Sequence, residues 1–166
     1  IASILAGCAL ADLALWLGKW EDTGRSVDFQ MRRFVLKDSF GGGKYTVAGT
    51  YEIDPNKYPK RVDFLAEQVS VVFDSDDGDE LVFRSDTDDS AIREVQTRVA
   101  VLAASPDDDA AVRLLALFLR SLVLQEATPG IYRINMYTGT YLEVELNMPD
   151  DARPADFGQG YVKREY

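Results

Sequence analysis

Residues 44–64 read KYTVAGTYEIDPNKYPKRVDF. The first ten are rich in Tyr, Thr and Val, side chains that suit a pleated, half-buried surface, so 44–53 is expected to be a strand. Asp54-Pro55-Asn56 is turn chemistry: proline presets φ, and the Asp carboxylate accepts nearby backbone N–H groups. A further strand starts at 61–64. Gly49 falls inside the first strand, where a glycine marks a bend or a close backbone approach. Upstream, 29–37 reads as a strand, and Asp38-Ser39-Phe40-Gly41-Gly42-Gly43 reads as the loop joining it to 44–53 in a hairpin. Gly41-Gly42-Gly43-Lys44 is not a phosphate loop, because Tyr45 stands where that motif needs Ser or Thr and no strand-to-helix context surrounds it.

Downstream, 69–73 and 81–83 flank Asp74-Ser75-Asp76-Asp77-Gly78-Asp79-Glu80, a second hairpin with an acidic tip. Over 90–104, Ile92, Val95 and Val99 share one side at helical spacing. Ser105-Pro106-Asp107-Asp108 then forms a helix start: serine caps free N–H groups, proline fits the first turn and the aspartates complement the dipole. The helix over 106–125 carries leucines and Phe118 around most of its circumference, with Arg113 and Arg120 marking one narrow polar stripe. Such a helix is buried on more than one side. Strands are expected at 130–136 and 140–147, around a turn at Tyr137-Thr138-Gly139, and a short last strand at 161–165. Leu142, Val144 and Leu146 alternate with Glu143 and Glu145, which buries one face and wets the other.

Composition narrows the chemistry. The 166 residues are 46% apolar and 28% charged, which suits one globular domain and excludes a disordered chain. There is no histidine, so Ser-His-Asp and Cys-His catalysis and a histidine switch are excluded. The single cysteine, Cys8, excludes an intrachain disulfide. The net charge of −10 argues against nucleic acid, whose phosphates call for basic patches. Residues 65–127 hold 14 Asp/Glu and 5 Lys/Arg, so nearly all the excess acidity sits in the middle, which reads as an acidic, partly helical insertion.

Residues 1–17, IASILAGCALADLALWL, are almost wholly apolar but too short to span a bilayer. Leu5-Ala6-Gly7-Cys8 resembles a lipobox, where small residues admit a peptidase and the Cys8 thiol takes a lipid. Two readings of 1–14 stand: a signal or lipoprotein remnant with a membrane tether through Cys8, or a lead helix with Leu10, Leu13 and Leu17 on one face. The first places the protein in the cell envelope or outside the cell, the second in the cytoplasm.

Four blocks resemble an uncharacterised bacterial domain family, abundant in planctomycetes and described as a lipocalin-like conserved hypothetical domain. Leu17-Gly18-Lys19-Trp20 resembles its LxGxW opening, and residues 49–64 resemble its GTYxxDPxxxPKxxDF block, through Gly49, Tyr51, Asp54, Pro59 and Phe64. Gly130-Ile131-Tyr132 resembles its GIY strand, and Arg153-Pro154-Ala155-Asp156-Phe157 its RPxxF block. The order is the family's. The sequence departs from the pattern where residues 65–127 separate strands the family joins briefly, and where Tyr137-Thr138-Gly139 replaces a Gly-Asp turn. The resemblance implies a single domain over 15–166, mainly β with added α: an antiparallel lipocalin-like β-barrel or strongly curved sheet with a helix-containing insertion. It carries no activity, cofactor or catalytic residue. Trp20, Gly49, Tyr51, Asp54, Pro59, Gly130, Tyr132, Arg153, Pro154 and Phe157 are expected to be structural, with Trp20 plugging one end of the sheet and Arg153 a candidate to pack on its face.

Function follows as expectation. The first reading is a non-enzymatic domain binding a small apolar or amphipathic molecule in or beside the barrel. The alternative is a structural or protein-interaction module with a filled barrel, meeting a protein partner through the 106–125 helix. The third is a carboxylate-based hydrolase. Asp74, Asp76, Asp77 and Asp79 are candidate calcium ligands, since clustered carboxylates suit a hard cation. The EF-hand pattern fails there, because Asp79 and Ser85 stand where Gly and Glu belong. Asp86, Asp88 and Asp89 form a second acidic patch just beyond.

Overall fold

The computed structural model describes residues 17–22, 25–54, 61–104, 110–137, 141–147 and 160–164. Their elements, in chain order, are β1 (Gly18–Asp22), β2 (Arg25–Phe29), β3 (Arg33–Phe40), β4 (Gly43–Asp54), β5 (Arg61–Phe73), a 3-10 turn (Asp74–Asp76), β6 (Glu80–Arg84), α1 (Asp89–Ala103), α2 (Ala110–Leu124), β7 (Thr128–Tyr137), β8 (Tyr141–Asn147) and β9 (Gly160–Arg164). The ladders are antiparallel, in the order β4-β3-β2-β1-β9-β8-β7-β5-β6, and β4 also pairs with β5. A sheet whose strands meet again in this way must curve strongly. β5 carries β4 along one edge and, on the other, β7 at residues 61–64 and β6 at residues 68–72. β1 meets β9 at one registered pair, Glu21 with Val162, so the sheet is strongly curved rather than a barrel zipped all round.

One row of side chains shows why these strands hold together. Trp20, Val27, Leu36, Val47, Val69 and Phe83 stand opposite one another across β1 to β6, and all six are buried. Directly opposed residues on one face are the unit of sheet stabilisation. The next row places large beside small: Phe29, Phe34, Gly49, Ala66. Between Ala48 and Gly49 the β4–β5 register shifts, leaving Glu67 as an extra residue. The shift brings the strands so close that a Cβ on Gly49 would lie 2.0 Å from the Leu65 carbonyl oxygen. Glu67 points out and pairs with Arg33 at 2.8 Å.

Helix α2 covers this concave, apolar face. It touches β5, β3 and β7 and carries α1 on its other side. Phe118 sits against Phe34 and Phe64, with ring centroids 6.0 and 5.9 Å away. The small residues Gly49 and Ala66 leave room for the approach. Ser121, also buried, accepts the Ala66 N–H at 3.4 Å and donates to the Glu126 carbonyl at 2.6 Å. The helix is thus held in register by a polar contact inside an apolar interface, where an unmet N–H would be costly. Tyr45 adds a second polar tie from the strand side, donating to the Ala111 carbonyl at 3.1 Å.

Several boundaries differ from the sequence reading. The expected strand over 29–37 is the end of β2, a turn at 30–32 and the start of β3. Asp38, Ser39 and Phe40 belong to β3, and the turn contracts to Gly41-Gly42, where Gly42 has φ 131°. Residues 61–64 and 69–73 are one strand, because the bulge lets β5 continue through the less β-prone Ala66-Glu67-Gln68. The acidic segment therefore begins inside a core strand. On α1, Ile92, Val95 and Val99 are the buried residues, and Asp88 caps the helix by accepting the Ser90 N–H at 3.1 Å.

Candidate functional site: a groove beside the sheet

The far end of β5 builds the site. Phe73 closes the strand, and the chain turns through Asp74–Asp76. Asp77, at φ 56°, and Gly78, at φ 82°, bring it back into β6. Both are residue types that tolerate this left-handed backbone. The Asp74 N–H donates to the Gly42 carbonyl at 2.8 Å, tying this turn to the β3–β4 turn.

Arg98 reaches across from α1. Its guanidinium lies 3.7 Å from the centre of the Phe73 ring, donates to both Asp76 carboxylate oxygens at 2.9 and 3.3 Å, and donates to Ser75 Oγ at 3.2 Å. The planar fork suits both contacts, since it stacks on a ring and binds a carboxylate with two parallel bonds. The hydrogen bond from Arg98 holds the Asp76 carboxyl below its ordinary value, against some desolvation, with Arg98's charge and Ser75 adding to the lowering.

Between this corner and α1 lies an open groove of about 510 Å3, lined among others by Gly42, Phe73, Asp74, Arg98, Val101 and Leu102. Its volume lies in the range of small-molecule sites, and its wall is largely apolar. Val101 is 67% exposed and leaves aliphatic surface open at the groove.

The metal expectation gains no support from the described residues. Asp76 is committed to Arg98, Asp74, Asp77 and Asp79 stand exposed, and among the described residues no three acidic or cysteine side chains gather as a cation site. Asp88 of the second acidic patch serves as the α1 cap. Nor, among the described residues, are two carboxylates brought together in the interior of the sheet. Among the described residues Asp38 is the buried acid, with Oδ1 accepting the Ser39 N–H at 2.8 Å.

The residues expected to be structural divide clearly. Trp20 is fully buried in β1. Gly49 lies in β4 beside the bulge, and Tyr51 packs edge-on to Phe29 while its hydroxyl donates to the Gln30 carbonyl at 2.6 Å. Asp54 ends β4 opposite Arg61, Gly130 lies opposite Val62, and Tyr132 lies opposite Leu146. Cys8 and the rest of 1–14, Pro59, the helix start at 105–108, Thr138 and Gly139 of the expected turn, and Arg153, Pro154 and Phe157 lie outside the described residues. The expected packing of Arg153 on Trp20 lies there too.

Sequence reasoning missed Arg98 as a site residue. Its signal was present: an arginine one helical turn after Val95 and next to Val99 on an amphipathic helix, following an acidic hairpin. The pairing with Phe73 was not visible, because it depends on where α1 returns to β5. Among the described residues no helix is long and apolar enough to cross a membrane. Compared with known proteins, the chain matches no family model, no curated protein by sequence and no solved structure by fold.

Proposed function

We propose that this chain is a lipocalin-like, non-enzymatic binding module that closes its own concave face with α2 and takes a small apolar or amphipathic molecule beside the sheet, in the groove at Phe73 and Val101. The meander of strands and the return of β9 to β1 support the lipocalin-like architecture. The observation that carries the binding reading is Phe118. It stands on Phe34 and Phe64, where a ligand held inside the curve of the sheet would lie, and among the described residues an open apolar groove lies beside the sheet instead.

The test is a fluorescence titration with the neutral apolar probe N-phenyl-1-naphthylamine. Val101→Trp, which fills the groove, is expected to weaken binding, and Phe118→Leu, which loosens the concave face, to leave it unchanged. Binding that strengthens in Phe118→Leu and ignores Val101→Trp would place the ligand inside instead. The filled concave face also favours a second reading, a structural or protein-interaction module, which an absence of saturable probe binding would support. In that reading the apolar part of the partner contact through the 106–125 helix narrows to its end, where Val123 and Leu124 are 43% and 49% exposed, because the other large apolar side chains of α2 are buried or half-buried. An envelope location with a lipid tether at Cys8 stays part of the proposal on the strength of Leu5-Ala6-Gly7-Cys8. Cys8→Ser is expected to move the full chain from the membrane fraction to the soluble fraction.

A further inference from the structure

We infer that the groove selects an amphipathic cation, an organic amine whose hydrocarbon part lies along Val101 and Leu102 and whose charged end sits at Asp74. The inference rests on the groove being the binding site. It adds the sign of the ligand's charge, which the apolar lining alone does not give.

The charge balance around the groove decides that sign. Arg98 is the one basic residue among the groove's lining, and its guanidinium is already met by both Asp76 oxygens and by the Phe73 ring. An incoming anion would meet a guanidinium whose charge is already offset by a carboxylate held in two bonds. Asp74, also in the lining, makes no ion pair among the described residues. Its backbone bond to Gly42 fixes it at the rim. Residues 74–80 carry five acids and no basic residue, and Asp77, Asp79 and Glu80 are exposed along the same turn. After Arg98 offsets Asp76, the potential at this end of the groove is negative, and a cleft with low-dielectric walls concentrates such a field.

The apolar side is equally specific. Val101 is 67% exposed, Leu102 is half-buried beside it, and the Phe73 ring face is covered by Arg98. What is left for a ligand is the aliphatic surface of Val101 and Leu102, with Ser75, Thr97 and the acidic Asp74 in the same lining. That is the complement of an alkyl chain ending in an ammonium group.

The experiment compares octylamine, octanoate and 1-octanol on the full chain at low salt by calorimetric titration. The amine is expected to bind roughly fivefold more tightly than the alcohol, the scale of one exposed ion pair, and the carboxylate more weakly than either. Asp74→Asn is expected to bring amine and alcohol level. Asp86→Asn, which changes the net charge by the same amount outside the groove, is expected to leave the preference intact. Equal binding of all three probes, with all three weakened by Val101→Trp, would overturn the charge assignment while leaving the groove as the site. A preference lost equally in Asp86→Asn would overturn it as well, because the whole molecule's charge would then be the cause. Saturable binding by none of the three would overturn the groove reading and this inference together. Thermal melting of each variant establishes that the exposed substitutions leave the fold intact.

Discussion

Two helices meet the sheet in opposite ways. Helix α2 presses Phe118, Leu114, Leu115 and Leu122 into the concave face, all fully buried. Helix α1 lies behind it, and the contact Arg98 makes with the sheet end, at Phe73 and Asp76, is one-third exposed. The first contact is apolar and shielded, so its strength comes from area removed from water and from dense packing. The second is charged and wet, so its strength is cut by solvent and salt. The more conspicuous set of bonds, a bidentate ion pair with a stacked ring, is therefore expected to matter less to stability than a phenylalanine with no polar atom at all.

The sharpest way to break that comparison is Phe118→Ala. A cavity at a fully buried aromatic costs about 3–5 kcal/mol, read as a fall in the urea midpoint with an unchanged slope. Next comes Gly49→Ala, where the added methyl meets a backbone oxygen and neither strand can yield cheaply. A loss of about 1–3 kcal/mol is expected, with the β4–β5 amides exchanging faster. Ser121→Ala follows. It strips the Ala66 N–H of its acceptor in a buried place, for about 1–3 kcal/mol. If Ser121→Ala were neutral, the bulge would be shown to satisfy itself without the helix.

The smallest effect is expected at the corner. Asp76→Asn should lower stability slightly near neutral pH, and less at high salt. The sign with pH is fixed by direction: the folded-state carboxyl titrates below its ordinary value of 3.8. Its contribution is therefore present above that value and lost as pH falls through the lowered one. Denaturation curves of the two proteins should differ near pH 7 and coincide in strong acid. A larger effect for Asp76→Asn than for Phe118→Ala would reverse the comparison.

The parts of the fold that the sequence disclosed were those written in local chemistry. Ile92, Val95 and Val99 mark the buried side of α1, and the glycine-rich turn and the acidic hairpin separate strands as read. β2 went unread because Arg25-Ser26-Val27-Asp28-Phe29 is short and its alternation has only two apolar members. The unity of β5 went unread because a bulge admits residues that strand propensity disfavours. The groove was illegible for a different reason. Gly42, Phe73 and Val101 lie on a turn, a strand end and a helix, and only the tertiary path brings them together. The acidic tip is a candidate cation site by spacing alone, which shows which carboxylates are close but not that Asp76 already has an arginine.

The meeting of β1 with β9 also bears on how the chain reaches this state. Glu21 and Val162 lie near opposite ends of the described sequence, whereas β2 to β5 pair with neighbours along the chain. Hairpins close quickly, and distant pairings must wait until the loop between them has been ordered. On a ribosome, β1 would leave the exit tunnel long before its partner is synthesised. In that interval its outer edge is bare, and bare edges invite pairing with other chains. Among the described strands β9 is thus the one that covers the outer edge of β1.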